Sequence, residues 1–206
     1  VPAGERFRLT QLAIAGKDRL VASDQEIVRG GKSYTLLTLQ ELTRQYPDAE
    51  LSIIIGSDTL SDLPNWYHPE EVLKIAGVLC VPRVGIDQND AVTAEMLRAR
   101  YGARVRLLSA KADVIASTEI RKRLTAGLPV DGLMPERVEQ AVYECGAYFP
   151  KDVRALQEQC RAALSPKRYS HVCGTMRSAA TLAVLWKQDA AKARIAALLH
   201  DCGKCL

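Results

Sequence analysis

Leu51–Tyr67, LSIIIGSDTLSDLPNWY, is the stretch whose reading decides the fold. The apolar run Ile53-Ile54-Ile55 stops at Gly56 and is followed at once by Ser57 and Asp58, then by a Leu-Pro turn and the pair Trp66-Tyr67. A short aliphatic run closed by a glycine suits a buried strand of a parallel sheet. In open α/β sheets ligands sit just beyond the carboxyl ends of such strands. Gly56 and Asp58 then fall at a ligand-binding edge, and Trp66 and Tyr67 could wall a flat ring. An ordinary strand-loop with a capping Asp and two core aromatics fits the same residues.

On either side, strand candidates alternate with helical segments. Phe7, Leu9, Leu12, Ala13 and Ala15 form a helical stripe, and Arg19–Ser23 reads as a short strand. A helix through Leu36, Leu37, Leu39 and Leu42 precedes the central strand. A helix over Pro69–Ile75 leads to a strand at Val78–Val81. Residues 91–101 read as helix and Val105–Leu108 as strand, with helices following from Ile115 and from Pro135 to Cys145. This alternation means βαβ units and a doubly wound parallel sheet. After Tyr148-Phe149-Pro150 only helical periodicity remains. Ser165-Pro166 opens one helix as a capping Ser with Pro in the first turn, and Ala190–Leu199 forms the next. The change places a domain boundary near residue 150.

Composition narrows the function classes. The 206 residues are 48% hydrophobic and 25% charged, as in an ordinary globular protein. A net charge of +4 fits a protein that handles phosphates but is too small for a nucleic-acid footprint, so no nucleic-acid partner is expected. No apolar run reaches the ~20 residues of a membrane span. The six cysteines show no secreted-framework spacing and there is no signal peptide, so a reduced, cytoplasmic protein is expected. The chain begins at Val1 without Met and stops at Leu206 just after a dense motif, and so reads as a piece of something longer.

Two further segments carry chemistry in the first part. Ser33-Tyr34-Thr35, with Thr38 one turn on, stands at a helix start, where hydroxyls and free backbone N–H groups make an anion site; plain capping by Ser33 or Thr35 fits as well. In Ile115–Arg123, IASTEIRKR, Ser117 or Thr118 caps a helix and Arg121 lies one turn in, a set that can converge on a polyphosphate. The alternative is a capped helix with a basic solvated face. Arg83 is a weaker phosphate candidate.

SYTLLTL, IIIGSDTLSDLPNWY and IASTEIRKRL, in this order, resemble the nicotinate-mononucleotide adenylyltransferase family over roughly residues 1–149. The resemblance implies a Rossmann-like fold of the nucleotidyltransferase type and transfer of AMP from ATP to nicotinate ribonucleotide, giving deamido-NAD and pyrophosphate with Mg²⁺. Ser117, Thr118 and Arg121 would hold the ATP phosphates. Asp58 and Gly56 would meet the nucleotide, and Thr35, Trp66 and Tyr67 would shape the nicotinate pocket. The family's His-x-Gly-His segment, whose histidines stabilise the transferring phosphate, has no counterpart here, because the histidines are His68, His171 and His200. The catalytic residues are therefore not assigned. The first βα unit is expected to be missing, and the chain as it stands to be nearly inactive.

The tail carries different chemistry. His171 lies early in its helix, and His200-Asp201 closes the apolar run Ile195–Leu199, with Lys204 three residues on. Imidazole and carboxylate ligands of this kind bind a divalent transition metal that activates water for phosphate hydrolysis. KRYSH…LLHDCGK resembles the HD superfamily of metal-dependent phosphohydrolases over about 153–206, close to the small bacterial members that split symmetrical dinucleoside tetraphosphates into two ADP. The resemblance implies an all-α HD domain with His171, His200 and Asp201 as ligands of a divalent metal, iron, and Lys204 as a phosphate contact. Further ligands would lie beyond Leu206.

The domains expected are thus 1–150, a nucleotidyltransferase, and 151–206, the first part of an HD hydrolase. Two other functions remain open: the tetraphosphate hydrolase as the principal activity, and a nucleotide-binding remnant with neither site active. Cys202-Gly-Lys-Cys205 has C-x-x-C spacing, which falls inside the HD motif without a partner pair.

Overall fold

The structure is a computed structural model, described here over residues 1–82, 88–109 and 115–202. It divides into two compact units, Asp24–Val114 and Val1–Ser23 with Ile115–Leu206.

The first unit is built on a parallel sheet in the order β1 (Leu51–Gly56), β2 (Ala76–Val81), β3 (Val105–Leu107). Leu51 pairs with Ala76 and Gly56 with Val81, and Val78 pairs with Val105. Its helices are α2 (Gln25–Arg29), α3 (Thr35–Gln45), the short α4 (Ser57–Asp62), α5 (Pro69–Ile75) and α6 (Gln88–Tyr101), with a 3-10 turn at Leu63–Asn65. Alternate strand residues share a face. Ile53, Ile55, Val78, Cys80 and Val105 meet Leu60, Leu63, Leu73, Ala94 and Leu97 in one core, and Leu51 and Ala76 meet Leu36, Leu39 and Val72 in another. Each fully buried Leu or Val among them contributes about 1.5–3 kcal/mol.

Three sequence expectations change in this unit. The Ile53–Ile55 run is not buried on both faces: β1 is an edge strand among the described strands, and Ile54 is 72% exposed. The central strand is β2. The chain also does not leave β1 as a loop, since α4 starts at Ser57 directly after Gly56.

In the second unit α1 (Ala3–Ile14) packs with α7 (Ser117–Ala126), α8 (Glu136–Cys145), α9 (Lys151–Ala163), α10 (Pro166–Leu185) and α11 (Ala190–Leu199). Arg19–Ser23, expected as a strand, forms none; Val21 is 91% exposed and no described strand pairs with it. With no strand edge beside it the segment forms no ladder, and its exposed backbone is left to water and turns, as where the Leu20 N–H donates to the Lys17 carbonyl at 3.0 Å.

The buried residues of α10, Tyr169, Val172, Cys173, Met176, Ala180 and Ala183, recur at helical spacing, and the first four meet Val138, Val142 and Tyr143 of α8 and Leu198 of α11 in one core. Ser165 caps α10, its hydroxyl accepting from the Arg168 N–H at 3.4 Å, and Pro166 occupies the first turn. Gly127 ends α7 in the left-handed region (φ 78°), where a Cβ would stand 2.7 Å from Cα of Ala191. Only glycine meets both demands. The residue-150 boundary falls in this unit, between α8 and α9.

No helix among the described residues is long and apolar enough to cross a membrane.

Candidate functional sites

At the carboxyl end of β1 the backbone turns straight into α4. Asp58 folds back over Gly56, where a Cβ would lie 2.7 Å from its Oδ1. Glycine at 56 is thus the condition for this placement of the carboxylate. Ser57 donates from Oγ to Oδ2 of Asp90 at 2.8 Å, and Asp90, in the first turn of α6, is buried. Burial pushes the Cys80 thiol up against an opposing bond from Ser57, and the Asp90 and Asp58 carboxylates push it further. Two carboxyl groups, of Asp58 and Asp90, therefore stand together at the strand end. Nothing in the sequence marks Asp90, because an acid in a helix first turn is ordinary.

Thr35 is the first residue of α3, and the residue before it, Tyr34, makes no side-chain cap. The expected capping by Ser33 or Thr35 is absent because the helix begins one residue too late for Ser33 and at Thr35 itself. Thr38 is engaged elsewhere: it donates to Oε1 of Glu26 at 2.7 Å and accepts from Arg29 at 3.0 Å. The ring of Tyr34 lies 4.3 Å from that of Tyr67, tilted by 31°, and Tyr67 meets His68 edge-on at 4.2 Å. Lys32 Nζ stands 4.9 Å from the centroid of the Tyr34 ring. Trp66 is half-buried and packs against both cores of the unit, while Tyr67 remains 47% exposed. The structure therefore joins the SYT and NWY segments through Tyr34 and Tyr67. Tyr34 and His68 belong to this aromatic group although the sequence reading gave them no role; the pairing of two tyrosines far apart in sequence leaves no local signal.

In the helical unit α7 begins at Ser117, with Ala116 rather than a hydroxyl residue at the cap. Ser117 and Thr118 are first-turn residues, not caps, and both are exposed. Arg121 donates from Nη2 to Oγ of Ser117 at 3.3 Å and lies over the Tyr148 ring at 5.7 Å. The first turn, uncapped by a side chain, and one guanidinium thus stand together on an exposed helix start. Arg83 lies outside the described residues.

In the same unit α10 and the end of α11 bring together His171, His200 and Asp201, each offering one ligand atom within 4.8 Å of the others. The two rings are 5.7 Å apart between centroids, and His200 Nε2 is 3.4 Å from Asp201 Oδ1. Nδ1 of His200 lies 2.6 Å from the carbonyl of Ala197. A carbonyl only accepts, so Nδ1 is the donor in this bond, and Nε2 is the ring nitrogen turned toward the cluster. Asp201 is buried, and Arg168 Nε stands 3.9 Å from its Oδ2. In the sequence, the signal for Arg168 is its position within KRYSH one turn before His171, at i and i+3. Two imidazoles and a carboxylate at this separation fit a divalent transition metal in their donor chemistry. Lys204 and Cys205 lie outside the described residues.

Comparison with known proteins follows these two regions. The cytidylyltransferase-like family model matches residues 1–123, and the HD domain model matches 168–206. Three relatives, each named a probable nicotinate-nucleotide adenylyltransferase, align over the first part. The protein of Corynebacterium glutamicum is 35% identical over 150 residues, 73% of this chain and 67% of its own length. That of Synechococcus sp. JA-3-3Ab is 37% identical over 148 residues, 70% of each chain. That of Lachnoclostridium phytofermentans is 33% identical over 145 residues, 70% of this chain and 72% of its own. The chain, with its parallel sheet and its HD-type tail, belongs to the nicotinate-nucleotide adenylyltransferase family.

Proposed function

We propose that residues 1–150 serve an adenylyl transfer in which a phosphate oxygen of nicotinate ribonucleotide attacks the α-phosphorus of ATP, forming deamido-NAD and releasing pyrophosphate. The observation that carries this reading is the 33–37% identity to relatives of that name across the segment that holds every proposed binding residue of this part. Asp58, held over Gly56, would meet the nucleotide. Thr35, Trp66 and Tyr67, with Tyr34 against Tyr67, would hold the nicotinate ring. Ser117, Thr118 and Arg121 would hold the ATP phosphates through first-turn N–H groups, hydroxyls and a guanidinium. Mg²⁺ bound with ATP would neutralise phosphate charge. In such a transfer the protein contributes position and charge rather than a covalent nucleophile.

No His-x-Gly-His segment occurs in the 206 residues, so the residues named here are assigned to binding and none to stabilising the transferring phosphate. Titration calorimetry tests this assignment. The chain is expected to bind Mg²⁺–ATP and nicotinate ribonucleotide, Arg121→Ala to weaken the first and Trp66→Ala the second. Binding of neither ligand would overturn it.

A second reading rests on the clustering of His171, His200 and Asp201. We infer that residues 151–206 form the metal-holding part of an HD phosphohydrolase, with iron as the expected metal and dinucleoside tetraphosphates, cleaved to ADP, as the expected substrate. A divalent metal bound there would supply an activated water. The tether from Ala197 orients His200, and Arg168 stands where a substrate phosphate could be held. Metal-dependent release of ADP from diadenosine tetraphosphate, lost in His200→Ala, would support it. A purified protein that takes up no divalent metal would exclude it. Ligand binding without turnover by either route would leave the nucleotide-binding remnant.

A further inference from the structure

Cys160 and Cys202 take no part in either proposed site. Cys160 lies on the inner face of α9 and is 3% exposed, whereas Cys202 follows Asp201 in the turn after α11 and is only partly buried. Their sulfurs are 3.1 Å apart across 42 residues of sequence. Both thiols also point at one acceptor, the carbonyl of Leu198, at 3.7 and 3.8 Å. A disulfide has an S–S distance of about 2 Å, so closing the bond needs an approach of about 1 Å. The C-x-x-C spacing within the tail directs attention to Cys205, which lies outside the described residues; among those described, the sulfur beside Cys202 is that of Cys160 on α9.

We propose that Cys160 and Cys202 form a reversible disulfide by exchange with a low-molecular-weight disulfide such as oxidised glutathione. Cys202, the accessible member, attacks one sulfur of the small disulfide, giving a mixed disulfide and releasing one small thiol, which takes up the proton that Cys202 gave up. Cys160 then attacks the Cys202 sulfur, breaks the mixed disulfide, and releases the second small thiol with its own proton. Two protein thiols are oxidised and one small disulfide is reduced to two thiols, with nothing else consumed. The product ties α9 to the turn that carries Asp201, one residue before Cys202. The disulfide itself does not depend on the metal reading of that turn.

Peptide mapping tests the proposal. The reduced chain is incubated with oxidised glutathione, quenched by alkylation and digested. The expected product joins the Cys160 and Cys202 peptides, with two of the six thiols lost and both regained in dithiothreitol. Cys205→Ser should leave the yield unchanged, whereas Cys160→Ser and Cys202→Ser should each abolish it. An alkylated Cys160 in the oxidised wild-type chain, or a Cys202–Cys205 link in its place, would overturn the proposal without bearing on the adenylyl-transfer or metal readings.

Discussion

Nδ1 of His200 donates to the carbonyl of Ala197 at 2.6 Å, one turn earlier on the same helix, and this bond decides which nitrogen of the ring faces Asp201. The backbone thus holds the ring with Nε2 toward the cluster, the orientation a metal ligand needs.

The first prediction concerns that cluster. Replacing His171, His200 or Asp201 with Ala, Ala or Asn should weaken Mn²⁺ or Co²⁺ binding by more than the about 10–100-fold typical of losing an outer partner. The two exposed histidines should change stability by no more than about 0.5 kcal/mol. Calorimetric titration of metal, alongside thermal melts, checks both parts. Unchanged metal affinity in all three variants would remove the cluster from any metal role.

Gly56 offers a separable test. An added Cβ would displace the Asp58 carboxylate, a flexible chain end, rather than any backbone. Gly56→Ala should therefore leave the melting midpoint nearly unchanged and lower nucleotide affinity by about tenfold, the effect of losing one well-placed contact worth about 1.4 kcal/mol. Asp58→Ala in the same titration should give a similar loss, and the double variant should add little more.

Tyr143 makes a pH prediction. Burial pushes its phenol from the ordinary value of 10.0 up to about 12, and its hydroxyl has no hydrogen-bond partner among the described residues. A group whose proton is held more tightly in the folded state contributes fully below the unfolded value and loses that contribution as pH rises through the folded one. Relative to Tyr143→Phe, the wild type should lose on the order of 3 kcal/mol between pH 10 and 12. At pH 7 the two should lie within about 1 kcal/mol, because the phenylalanine removes no bond. Denaturant melts across pH check the difference; a flat difference curve would contradict it.

Much of this architecture was legible in the sequence, and the misses share physical causes. Pro69–Ile75 and Ala190–Leu199 were read to the residue because a proline start and a dense apolar run mark helix limits locally. Ile54 was misplaced because three consecutive isoleucines look alike whether one face of a strand is covered or both, and that depends on neighbours the sequence does not name. Arg19–Ser23 had strand character and no edge to pair with. At the second site, residue type and the spacing of two helices mark His171, His200 and Asp201 as candidate ligands, and the structure places their ligand atoms within 4.8 Å of one another. Tyr34 on Tyr67, Ser57 on Asp90 and Cys160 on Cys202 join residues 33 to 42 positions apart, and nothing local to any of them announces its partner.

The most direct measurement of the central claim is turnover. The protein in the form its gene encodes is supplied with ATP, nicotinate ribonucleotide and Mg²⁺, and deamido-NAD and pyrophosphate are quantified together by chromatography. The account predicts both products in equal amounts, with kcat/KM falling by about 10²–10³ in Arg121→Ala, the scale of losing one charge-stabilising donor. Absence of deamido-NAD under conditions where both substrates bind would contradict it.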